Sequence, residues 1–180
     1  FGAFPAIYAI FLSAFYLPVV LLLIGLIFRG VAFEYREQAL KARGMWEWGF
    51  VIGSAVATIV QGAAIGTLIM GLPIDGTTYV GNGWDWLAPF PVLCGLGLVV
   101  GYSMLGAGWL ILKTEGAVAQ RARAQLRGLS IAFCVFVLAA FLITQGVDLP
   151  VRHAWEKAPL WHWIVPALGF VGLLGAFRTS

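Results

Sequence analysis

Residues 4–28 read FPAIYAIFLSAFYLPVVLLLIGLIF, and residues 29–36, RGVAFEYR, follow without a break. The first stretch contains no charged side chain. A bilayer's hydrocarbon core, about 30 Å thick, asks for about 20 consecutive apolar residues in a helix. The run therefore reads as a membrane span, and Arg29 marks its exit into a charged segment held at the bilayer surface.

Four further runs of similar character lie downstream, at residues 47–70, 89–112, 128–146 and 161–177. None shows the alternating apolar and polar pattern of a barrel strand. Helices are then the remaining way to satisfy the backbone in lipid. The expected fold is all-α: a polytopic transmembrane helical bundle of five spans, forming a single transmembrane domain over residues 1–180. Composition agrees, with 61% hydrophobic and 11% charged residues and a mean hydropathy of +0.93. Soluble domains carry about 25% charged residues.

Loop charges set the expected orientation, because Lys and Arg resist translocation. Residues 29–44 carry Arg29, Arg36, Lys41 and Arg43, and residues 113–127 carry Lys113, Arg121, Arg123 and Arg127. Residues 71–88 carry no base, and residues 147–160 carry only Arg152 and Lys157. The first pair of segments is expected on the cytoplasmic side and the second pair on the outer side. Trp46, Trp48, Trp84, Trp86, Trp161 and Trp163 fall at span ends, where indoles favour the headgroup region. The net charge of +3 and pI of 9.1 are accounted for by this topology and do not imply nucleic acid.

Local signals refine the picture. EYREQALKA is rich in helix formers, so the first helix is expected to continue past the membrane, with Glu37 and Lys41 paired and Gly44 ending it. Pro18 is expected to kink the span. Residues 71–88 read as an irregular loop that packs over the bundle. Small residues four apart, Gly53 with Ala57, Gly62 with Gly66 and Gly97 with Gly101, predict close helix contacts. The chain does not begin with Met, and it reads as an excerpt of a longer protein.

Polar groups inside or beside the spans are the functional candidates, because they are costly there. Gln61 lies mid-span, where an interhelical hydrogen bond accounts for it. Glu34 and Glu47 flank the first charged segment. For Glu34, an interfacial pair with Arg36 or Lys41 competes with a proton-relay role. No span has a carboxylate at its centre, as a self-sufficient proton pump would need.

Haem ligation requires ligands facing one another from opposite helices. His153 and His162 sit nine residues apart around one outer loop, Met45 and Met70 lie at span ends, and Met104 has no His opposite. No cofactor or metal is expected on this segment. Cys94 and Cys134 lie within apolar runs and read as small hydrophobes. A small-molecule transporter with Gln61 lining its path is the alternative class; it would show broken helices and paired repeats.

Several separated blocks carry a resemblance: IFRGVAFEYR, MWEWGFVIGS, QGAAIG, DWLAPFPVLCGLGLVVGYSMLGAGWLILKTEG and WIVPALG. In order and spacing the chain resembles subunit II of cytochrome bd-type quinol oxidases, including the cyanide-insensitive branch, over about the third to seventh of about nine spans. The resemblance implies a non-haem subunit of a bacterial inner-membrane oxidase that oxidises quinol and reduces dioxygen to water. It implies two haem b and one haem d in a partner, the haem-bearing subunit I, together with a small accessory single-span subunit. This chain would pack against subunit I, catalytic only within the complex, and contribute to a cytoplasmic proton route.

Residue by residue, Arg29 matches the family's arginine at the inner membrane edge, and Glu34 matches an acidic position on that route. Arg36 is the expected charge partner or lipid-phosphate anchor, while Trp46, Glu47 and Trp48 match the block that opens the next span. Partial burial of Glu34 would suit a relay acid. Two features depart from the pattern. Gln38 stands where some members have Lys, and the early acidic blocks of the family are absent from these residues.

Overall fold

Pro18 shapes the first membrane-facing segment. Proline lacks an N–H, and its ring collides with the carbonyl four residues earlier; that carbonyl belongs to Ala14. Helix α1 (Pro5–Ala14) ends there and α2 (Tyr16–Gln38) begins two residues on. Backbone bonds still cross the joint, from the Phe15 N–H to the Phe11 carbonyl at 2.9 Å and from the Val19 N–H to the Phe15 carbonyl at 2.8 Å. The expected kink is thus a true interruption, and buried Phe15 and Pro18 fill it.

The structure is a computed structural model. It describes residues 5–39 and 41–146, together with Ile164, residues 167–169, residues 171–172 and Gly175, which are helical. Helix α3 (Arg43–Met70) follows α2, and a loop leads to α4 (Pro89–Lys113) and α5 (Ala117–Gly146). Helices α2 to α5 are long and apolar enough to cross a membrane. Most of the fifth expected span, 161–177, lies outside the described residues, as do His153 and His162. The described chain is an all-α polytopic membrane fold.

Two compact units divide between Leu96 and Gly97. In the first, α2 and α3 form an antiparallel hairpin. A Cβ built on Gly53 would stand 2.7 Å from the Gly25 carbonyl, so the two backbones meet with no room for a side chain. Further along, Gly49 faces the Phe28 ring and Ala32, and Tyr35 stacks on Trp46 at 5.3 Å. Gly62 repeats the arrangement against α4, where an added Cβ would lie 2.7 Å from the Gly95 Cα and 2.8 Å from the Cys94 carbonyl. Lipid offers apolar side chains no hydrophobic drive to associate, so close backbone contact supplies the attraction.

Gly44 does not end the first helix. Helix α2 stops at Gln38, with Ala39 leaving helical geometry (φ −97°, ψ 73°), and α3 already contains Gly44. Tyr35 of α2 stacks on Trp46 of α3, and Lys41 lies between the two helices, so it cannot pair with Glu37 across one helical turn.

The loop after α3 is more ordered than its composition suggests. Strands β1 (Ile74–Asp75) and β2 (Thr78–Tyr79) pair antiparallel. Gly76 (φ 60°) takes the first position of their two-residue turn, the place a type II′ turn gives to glycine. A 3-10 turn (Asp85–Leu87) then inserts Trp86 against Val60 and Ala63 of α3, with Leu21, Leu22 and Val56 alongside.

In the second unit, the later part of α4 runs antiparallel to α5. Gly97 and Gly101 face the Phe136 and Phe133 rings, and the buried Ser130 hydroxyl donates to Met104 Sδ at 3.8 Å. Little of α5 is buried.

Candidate functional site

Helix periodicity places Gly30, Val31, Glu34, Tyr35 and Gln38 on one face of the last turns of α2, and these residues line an open groove of about 410 Å³. Gly30 contributes no side chain and has open space around it, which deepens the groove beside Glu34. The Tyr35 ring is held against Trp46, nearly parallel at 28°. Glu34 is exposed and has no ion-pair partner among the described residues.

The expected pair with Arg36 does not form, for a geometric reason: residues two apart on a helix point about 200° from each other. Arg36 occupies the last turn of α2, half-buried, where the helix dipole favours a cation. Glu34 is also more exposed than a relay acid was expected to be.

The other candidates stand apart from the groove. Arg29 lies against α3, its Cζ 5.2 Å from the centre of the Phe50 ring, and its backbone N is 3.0 Å from where a Gly53 Cβ would sit. Glu47 is taken up by Arg43, whose Nε donates to Oε1 at 3.2 Å across one helical turn. Both partners are exposed, so this pair contributes about 0.3–0.5 kcal/mol. Gln61 is exposed on α3, away from the groove, and makes no interhelical hydrogen bond among the described residues.

Sequence reasoning identified Glu34 but not the contribution of Tyr35, and it treated Gln38 only as a departure from a pattern. The spacing of 30, 31, 34, 35 and 38 was the available signal, since these positions share a helix face. It also missed a polar cluster in the loop. There the Tyr79 hydroxyl shares its proton between Asp85 Oδ2 at 2.7 Å and the Asn82 carbonyl at 2.8 Å, and the Asn82 N–H donates to Asp85 Oδ2 at 3.1 Å. Burial, followed by the Asp85 hydrogen bond and charge, pushes the Tyr79 phenol up to about 12. The Trp86 Nε1–H donates to the Gly83 carbonyl at 3.1 Å, fixing the indole. Asn and Asp among glycines are the sequence signature of such side-chain-bonded turns.

Among the described residues, no three His, Cys, Asp or Glu side chains gather as a metal site would require. Cys94 and Cys134 are free and half-buried. The arrangement offers one unpaired carboxylate beside a phenol and an amide, open to water at the end of a membrane helix.

Comparison with known proteins adds an independent finding. A model of the family described as cytochrome bd terminal oxidase subunit II matches residues 1–180. A probable cytochrome oxidase subunit 2 of Haemophilus influenzae is 34% identical over 209 residues, covering 97% of this chain and 54% of that protein. The cytochrome bd-I ubiquinol oxidase subunit 2 of Escherichia coli is 37% identical over 157 residues, 82% of this chain and 41% of its own length. The cytochrome bd ubiquinol oxidase subunit 2 of Bacillus subtilis is 33% identical over 164 residues, 89% and 48% respectively. The chain spans about half the length of the curated relatives it matches.

Proposed function

This chain belongs to the cytochrome bd terminal oxidase subunit II family, and from that premise we propose that it is the non-haem partner in a quinol-oxidising, dioxygen-reducing complex, with the Glu34 groove as its point of proton uptake. Membership makes it part of an oxidoreductase in the bacterial inner membrane. The finer roles are the proposal: packing against haem-bearing subunit I, leaving both haem b and haem d to that subunit, and passing protons inward from the cytoplasm.

The chemistry demands such a route. Reducing dioxygen to water consumes protons along with electrons, and hydrocarbon does not conduct protons. A relay group must take up a proton from water and release it inward, so it has to be free to adopt both protonation states. Glu34 meets this requirement in a way Glu47 does not, because Glu47 is bound to Arg43 while no described base holds Glu34. That contrast is the observation that carries the reading. Tyr35 and Gln38, on the same face, can hydrogen-bond the waters that would deliver the proton.

Orientation follows the same logic. The topology expected from the sequence would put residues 29–44 and 113–127 on the cytoplasmic side, because those two segments carry eight of the bases. Glu34 would then open toward the compartment that supplies the protons.

The test replaces Glu34 in the full-length complex. Glu34→Gln should slow quinol-driven oxygen consumption about 100-fold, the lower end of what a positioned proton-transfer group contributes. Glu34→Asp should retain most of the rate, and Glu47→Gln should change little. Haem absorbance would verify assembly in each variant. Wild-type turnover by a fully assembled Glu34→Gln complex would refute the assignment.

A further inference from the structure

Helix α5 carries bases that the proposed proton route does not use. Arg123 and Arg127 are exposed, α5 contains no acidic residue, and neither arginine has an ion-pair partner among the described residues. The first turn of α5 also lacks an acid that would offset the positive end of the helix.

Below these arginines the same face turns apolar. Ile131, Val135, Leu138 and Leu142 are 55%, 62%, 47% and 59% exposed. With Arg123 and Arg127 they form one stripe covering about 120° of the helix circumference. From Ile131 to Leu142 the lane is about 17 Å long, close to the roughly 15 Å depth of one leaflet's hydrocarbon. Arg127 and Arg123 stand about 6 and 12 Å above its start, within reach of the headgroup layer on flexible side chains. A Cβ added at Gly128 would meet nothing within 4 Å, so the space beside Arg127 is open.

We infer that this face of α5 is a binding site for an anionic phospholipid, the phosphate held between the guanidinium groups of Arg123 and Arg127 and an acyl chain lying along Ile131, Val135, Leu138 and Leu142. Charge complementarity selects the occupant. Guanidinium groups bind phosphate oxygens through paired N–H donors, and a zwitterionic lipid carries a compensating cation that an anionic one lacks. Each base near a membrane surface strengthens anionic-lipid binding about fivefold, so the pair should be worth about 25-fold. The inference depends on membrane immersion, not on the Glu34 assignment.

The experiment uses the full-length delipidated complex, titrated with phosphatidylglycerol or phosphatidylcholine and read by native mass spectrometry. Wild type should bind phosphatidylglycerol preferentially. Arg123→Gln with Arg127→Gln should weaken that binding about 25-fold and leave phosphatidylcholine unchanged. Lys113→Gln with Arg121→Gln removes the same charge away from the stripe and should have little effect. Equal losses in both double variants would reduce the effect to general electrostatics and overturn the site. Equal binding of the two lipids by wild type would also overturn it. So would loss of a protein subunit from the Arg123/Arg127 variant, since the face would then be a protein interface.

Discussion

Replacing Gly62 by alanine tests the close contact between α3 and α4 directly. A Cβ at this position would lie 2.7 Å from the Gly95 Cα, 2.8 Å from the Cys94 carbonyl oxygen and 3.0 Å from the Gly95 nitrogen, where ordinary contact begins near 3.4 Å. All three obstacles are backbone, so no side-chain rotation can relieve them. The helices would have to part by about 0.6 Å locally, a gap that forfeits a quarter to a half of each contact's dispersion energy. Overpacking of this kind costs about 1–3 kcal/mol, against which alanine regains about 1 kcal/mol of helix propensity. The hard backbone contacts favour the upper part of that range, leaving a net loss of about 1–2 kcal/mol.

Gly30→Ala provides the opposite case. It lies in α2 with nothing within 4 Å of its added Cβ, so the propensity gain stands alone. Thermal unfolding of the full-length complex, followed by loss of monodispersity in detergent, should fall by about 2–8 °C for Gly62→Ala, at about 2–4 °C per kcal/mol. Gly30→Ala should hold or rise slightly. If Gly62→Ala were as stable as Gly30→Ala, backbone proximity would not be what joins these helices.

The loop supplies two further predictions. Trp86→Ala should destabilise the fold by about 3–5 kcal/mol, because it empties a buried site against α3; Trp84→Ala, at a position 58% exposed, should cost about 1 kcal/mol or less. Differential scanning fluorimetry of the two variants would check the ranking. Tyr79 has a folded value, about 12, above the ordinary phenol value near 10. Its contribution is therefore complete below pH 10 and declines as pH rises toward 12, where the folded phenol also ionises. Near-ultraviolet difference titration of wild type against Tyr79→Phe should show this late tyrosine. Asp85→Asn should lower its midpoint only part of the way, since burial is the larger cause. A Tyr79 midpoint near 10 would refute the clasp.

Apolar run length determined, without any structure, that this chain is a membrane bundle. Backbone groups in hydrocarbon must bond within their own segment, so residues 47–70, 89–112 and 128–146 had little choice but helix. The same one-dimensional logic pointed to Gly53, Gly62 and Gly97 as contact positions, because small residues four apart share a face. It also singled out Glu34 as the acid beside the first membrane exit.

Tertiary contacts decided the rest. Helix α2 ends at Gln38, before the glycine that local signals favoured, and its Tyr35 meets Trp46 of α3. Glu34 opens into a groove with Tyr35 and Gln38, whereas Glu47 is bound to Arg43; both are acids beside bases in the sequence, and only side-chain direction separates them. Gln61 faces outward, and Trp86 turns inward from a loop whose composition suggested irregularity. Such outcomes depend on which faces meet across distant segments, and that information enters only when the helices pack.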